Sequence, residues 1–125
     1  MATRLLLLVA AGAAGTLCRY GLSGFVQSGL GARFPWGTLA VNLTGCLVAG
    51  LAFGLFESRW GLSGEARTII FIGFLGAFST FSGFMLETTE LARDSQWLSA
   101  GANLLLENGL GAVALYAGLV VSRLV

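Results

Sequence analysis

Four apolar stretches alternate with short polar segments along the chain. The first covers residues 5–25 and follows Arg4. Val26 to Arg33, polar and glycine-rich, predicts a loop. Phe34-Pro35-Trp36-Gly37-Thr38 opens the second stretch, residues 34–56, which carries no charge. A proline in the first turn is compatible with a helix start, and Trp36 suits the membrane interface. Residues 57–67 read as the second loop. The third stretch, 68–92, is uncharged as far as Leu86 and continues helically through Glu87 to Leu91. Arg93 to Trp97 form a short third loop, and residues 98–121 the last stretch. About 20 apolar residues of helix cross a bilayer. The pattern therefore predicts an all-α membrane protein, one domain over residues 1–125, with four transmembrane helices. Leu5 to Ala10 before the small residues Ala11 to Gly15 also resembles a signal peptide. The apolar character resumes at once and persists, which favours a first span.

The third stretch departs from an ordinary anchor. Gly73-Phe74-Leu75-Gly76-Ala77-Phe78-Ser79-Thr80-Phe81-Ser82-Gly83-Phe84-Met85-Leu86-Glu87 combines small residues, clustered hydroxyls, aromatic rings and a terminal carboxylate. A membrane helix broken mid-membrane, presenting polar groups and rings at its break, is what a binding or permeation site requires.

Composition sharpens the membrane reading. Of 125 residues, 56% are hydrophobic and 10% charged, against about 25% charged in soluble domains. Nineteen glycines with a single proline point to close helix packing rather than linkers. Gly50 and Gly54 form a G-x-x-x-G contact face, and Gly111 and Gly118 give the last span a small-residue face. A net charge of +1 implies no nucleic-acid partner. There is no His and no Lys, so the commonest general base and metal ligand is missing. A glycine-rich phosphate loop with Lys is missing too. The chain is not expected to be an enzyme. Cys18 and Cys46, each within an apolar run, read as small buried hydrophobes.

Polar residues inside the spans carry the candidate chemistry. Thr38 and Asn42 are four apart and share a helix face. Asn42 serves either as interhelical glue or as an N–H donor toward an anion. Arg19 either snorkels beside the interface residue Tyr20 or lies at a water-filled vestibule. Arg4, Arg59, Arg67 and Arg123 face one side and Arg33 and Arg93 the other. That weak bias mildly favours termini inside and leaves room for insertion in both orientations. Four short helices do not enclose an aqueous path, so transport implies an oligomer, most simply a dimer.

Three blocks resemble the signatures of the Fluc (CrcB) fluoride channels. They are Gly15 to Tyr20, Pro35 to Gly45 (P-W-G-T-L-A-V-N-L-T-G), and Gly73 to Glu87. The resemblance implies an antiparallel, dual-topology homodimer in the bacterial plasma membrane, exporting fluoride through two passive pores. It implies a structural sodium ion at the dimer centre, held by backbone carbonyls of Gly76 and Ser79. It assigns Phe81 and Phe84 as pore rings and Asn42 and Thr38 as polar pore groups. Ser82 and Thr80 would flank the track, Arg19 the vestibule and Glu87 the pore end. Gly83 stands where the family often has a hydroxyl. Near its usual fourth-span serine this chain has Glu107, Asn108 and Gly111. Glu107 is open to three readings: protonated, paired with Arg19, or at a pore mouth.

The chemistry suits a small, strongly hydrated anion. Aromatic edges are positive, amides and hydroxyls donate, and weak repeated sites favour both entry and exit. Broken-helix carbonyls are costly in a membrane unless a cation or donor meets them. The rival is a small proton-coupled multidrug-type exporter. It would have to use Glu87 or Glu107, because the first span has no carboxylate.

Overall fold

The computed structural model describes residues 1–57 and 63–125. Helix α1 spans Ala2–Leu30 and α2 spans Trp36–Leu55. The third span is composite: α3 (Gly64–Thr68), a π-helical segment (Ile69–Leu75), α4 (Gly76–Phe78) and α5 (Phe81–Arg93). Helix α6 covers Trp97–Leu124. Four helical stretches, Ala2–Leu30, Trp36–Leu55, Gly64–Arg93 and Trp97–Leu124, are long and apolar enough to cross a membrane.

The first connection is shorter than the polar pattern predicts. Residues 26–30 continue α1 instead of forming a loop. Gln27 explains this, because its amide is consumed by the turn that follows. Its Nε2 donates to the carbonyls of Gly31 at 2.6 Å and Phe34 at 2.9 Å. Its Oε1 accepts from the Gly37 amide at 2.9 Å. Gly31, at φ 90°, then turns the chain out of the helix. Pro35 is the N-cap residue of α2 rather than part of its first turn. The second loop largely falls on residues 58–62, so Arg59 and its side of the membrane lie outside the described residues. Beyond them the Ser63 hydroxyl caps α3 by accepting from the Ala66 amide at 3.3 Å.

The two glycine faces meet each other. Helix α2 packs chiefly on α6, and the backbones touch where side chains are missing. Gly50 lies against the Leu115 carbonyl, Gly118 against the Leu47 carbonyl, and Gly54 against Ser122. Helix α1 packs on α2 and on the first part of the third span, from Ile69 to Phe78. Gly15 there lies against the Phe74 carbonyl and Gly73 against Ala11. Helix α5 instead packs on α6. The third span thus changes neighbours between Phe78 and Phe81.

Little of the chain is enclosed by the chain itself. Val41, Asn103 and Ser122 are its largest fully buried side chains, whereas Leu6, Leu17, Phe25, Leu98, Leu105 and Val113 are exposed. Lipid is the solvent that suits such a surface. Cys18 belongs to this outward surface and is exposed, contrary to expectation, because its face of α1 meets no other helix; Cys46 is half-buried, and both thiols are free.

Candidate functional site

The change of neighbours occurs at two residues. Ser79 (φ −84°, ψ 160°) and Thr80 (φ −148°, ψ 107°) are extended between α4 and α5. Leaving the helix there removes main-chain partners that a continuous helix would supply. Asn42 of α2 replaces the partner of the Thr80 amide and adds a donor to the Thr80 carbonyl, which also accepts from the Phe84 amide at 3.5 Å. Its Oδ1 accepts from the Thr80 amide at 2.8 Å, and its Nδ2 donates to the Thr80 carbonyl at 3.2 Å. The side-chain amide pairs with Thr80 much as a neighbouring strand would.

Thr80 also starts α5. Its Oγ1 accepts from the Gly83 amide at 3.0 Å, an N-cap bond, with the Ser82 hydroxyl 3.5 Å away. A side chain at position 83 would bring a Cβ to 3.0 Å from that hydroxyl. This gives a local reason for glycine where a hydroxyl residue is usual in the resembling family.

These caps bear on the carbonyls of Gly76 and Ser79. In a continuous helix Gly76 would receive the Thr80 amide and Ser79 the Gly83 amide. Both donors are used elsewhere. Neutral oxygens without their helical donors suit a monovalent cation, so the residues fit a sodium ion in chemistry. Gly76 is exposed and Ser79 half-buried. Among the described residues there is no cluster of three or more His, Cys, Asp or Glu side chains that would hold a metal.

Two carboxyl groups engage the polar face of α2. The Thr38 hydroxyl donates to Glu87 Oε1 of α5 at 2.7 Å. Asn42 Nδ2 donates to Glu107 Oε2 of α6 at 3.0 Å. Each acid keeps a second oxygen, Glu87 Oε2 and Glu107 Oε1, buried and without a hydrogen-bond partner. Neighbouring Asn103 Nδ2 donates to Thr88 Oγ1 at 2.9 Å, and that hydroxyl donates to the Phe84 carbonyl at 2.7 Å.

Thr80 is in the walls of two cavities. The larger, about 740 Å³, is lined by Arg19, Ser23, Thr38, Thr80, Ser82 and Glu87 among others. The smaller, about 200 Å³, includes Asn42, Thr80, Phe81, Phe84 and Glu107 in its wall. A third, of about 570 Å³, reaches the polar end of the molecule past Arg33, Glu90 and Asp94. Glu87 is in the walls of both the larger and the third.

The sequence-identified residues therefore gather around one interruption, with differing exposure. Thr38 and Phe84 are buried, whereas the Phe81 ring is 73% exposed on the uncovered side. The two rings meet edge to face, with centroids 5.6 Å apart. Arg19 is half-buried in the wall of the large cavity. Glu107 pairs with Asn42 and lines the small cavity, which Arg19 does not. Sequence spacing gives no role to Gln27 or Thr88. The i, i+4 spacing of Asn103 and Glu107 is a signal that would have marked a polar face on α6.

The fold and site together define a multi-pass helical membrane protein whose third helical stretch is extended at Ser79 and Thr80, beside two cavities walled by apolar and polar side chains. Residues 6–119 match the family described as "CrcB-like protein, Camphor Resistance (CrcB)", and the chain belongs to this family. It is 56% identical over 115 residues to a protein of Desulforapulum autotrophicum named "Fluoride-specific ion channel FluC", covering 92% of each chain. Proteins of that name from Nitrosococcus oceani and Maridesulfovibrio salexigens are 48% and 46% identical. The former alignment covers 92% of each chain, the latter 96% of this one and 95% of the relative. These relatives are named as channels, not enzymes.

Proposed function

We propose that this chain is a passive fluoride-selective channel. In this reading two copies in opposite orientations form a dimer with two pores, and cytoplasmic fluoride leaves down its gradient. The observation that carries the reading is that Thr80 walls two cavities, the smaller of which also has Asn42 and the Phe81–Phe84 ring pair in its wall. Relatives bearing the fluoride-channel name supply the ion.

The residues divide the work by the strength of their interactions. Arg19 and the hydroxyls of Thr38 and Ser82 line the wide cavity, where a hydrated anion is attracted by charge. Ring edges at Phe81 and Phe84 offer weakly positive C–H groups in the narrow one. Weak donors in series replace water without trapping the ion. A cation within the narrow cavity, unlike Arg19 in the wide one, would hold fluoride too long. The exposed Phe81 suits a path completed by the second copy. The Gly76 and Ser79 carbonyls of both copies would hold a structural sodium ion near the two-fold axis.

Fluoride efflux from liposomes carrying the purified protein tests this, with valinomycin clamping the voltage and chloride run in parallel. Rapid fluoride release without chloride release is expected. No release from monodisperse protein would sink the reading. The half-paired carboxyls of buried Glu107 and half-buried Glu87 favour one second reading, a proton-coupled exporter. Movement of a lipophilic cation driven by a pH gradient, with no passive fluoride release, would select it.

A further inference from the structure

The hydrogen bonds of Asn42 leave no N–H for an anion. A backbone amide only donates, so the atom facing the Thr80 nitrogen at 2.8 Å must be the side-chain oxygen, Oδ1. The other side-chain atom is then the NH₂ group, which has two hydrogens. One is directed to the Thr80 carbonyl and the other to Glu107 Oε2. The first bond belongs to the pair that ties Asn42 to the interruption. Only the second is exchangeable without breaking that pair.

Glu107 is built to be exchanged. The residue is 9% exposed and lines the small cavity. It is held through Oε2 alone, while Oε1 is buried and unpaired. An unpaired buried acceptor carries a desolvation cost, so this rotamer is weakly anchored. The same cavity is bounded by Phe81, Phe84, Thr80 and the Asn108 side chain.

We propose that the Glu107 carboxyl group is a tethered competitor of the permeating anion. It occupies the one Asn42 hydrogen that the anion requires, and passage through the small cavity exchanges one acceptor for the other. This inference rests on the channel reading above. It makes Glu107 a built-in brake whose strength is set by the side chain at position 107.

The test is fluoride flux from liposomes against internal fluoride concentration, for the wild type, Glu107→Gln and Glu107→Ala. Hydrogen bonds to charged acceptors are stronger than neutral ones, a difference of about tenfold in equilibrium terms. Glu107→Ala removes the competitor. It is expected to lower the half-saturating fluoride concentration by about tenfold. Glu107→Gln keeps the shape and a neutral acceptor, and is expected to fall between. If Glu107→Ala is not monodisperse, Glu107→Gln alone still decides by its direction. Unchanged or weakened fluoride dependence in a folded variant, against a conducting wild type, overturns the proposal and leaves Glu107 as a strut for Asn42. A wild type that releases no fluoride defeats the channel reading itself.

Discussion

The two ends of helix α2 are joined to their surroundings in opposite ways. Toward its C-terminus, Gly50 and Gly54 let the α6 backbone approach, and contact there is steric. Toward its N-terminus, Thr38 and Asn42 reach α5, the interruption and α6 through hydrogen bonds. The first arrangement works only at one spacing. The second involves discrete bonds that break one at a time and exchange partners. A channel needs both: a rigid seam to set the helices, and an adjustable polar end where an ion takes the place of a protein group.

Substitutions at the two ends should separate these roles. The largest effect is expected from Gly50→Leu, whose side chain would run into the Leu115 carbonyl. Overpacking typically costs 1–3 kcal/mol, and a helix backbone has nowhere to move. Loss of a monodisperse peak in size-exclusion chromatography is expected, and an unchanged peak would show that the seam is not tight. Next comes Asn42→Leu, which strips partners from both main-chain groups of Thr80 and from Glu107. At about 1–3 kcal/mol for each buried group left unpaired, fluoride efflux should fall at least a hundredfold. Near-normal flux would mean that the interruption holds without its amide partner. Phe81→Ile removes the exposed ring and its edge contact with Phe84. An efflux loss of about tenfold is expected, with thermal stability in detergent unchanged. Thr38→Val removes one hydroxyl bond to Glu87. It should slow efflux only severalfold, in line with about 1 kcal/mol for a single hydrogen bond. A Thr38 effect larger than that of Asn42 would reverse the ranking of the two polar contacts.

Much of the architecture was legible in the sequence because lipid imposes a simple rule. Uncharged runs of sufficient length must be helices, so the four apolar stretches marked the four helices. Their ends were less legible. Gln27 looks like a loop residue in composition and acts as a clasp across the turn. The π-helical turns of Ile69–Leu75 left no mark in the pattern, since hydropathy does not register a shifted hydrogen-bond ladder. Within the site, Thr38 and Asn42 were found by helical spacing. Their acceptors were not, because periodicity reports which residues share a face and never what faces them. Asn42 and Glu107 are 65 positions apart, and only the packing of α2 on α6 brings them together. Cys18 was misjudged for the related reason that an apolar run in a membrane helix does not distinguish lipid from protein as its cover.

The pairing of α2 with α6 also has a consequence for biosynthesis. The principal neighbour of the second span is made later than the other three described spans. Until α6 arrives, the glycine face of α2 has no counterpart and Asn42 lacks its Glu107 acceptor. The nascent three-span intermediate therefore carries an unsatisfied amide hydrogen and an open seam into the bilayer. Final assembly is a late, non-local step, and a chain truncated before Trp97 would remain a handle for quality-control proteases rather than a smaller working unit.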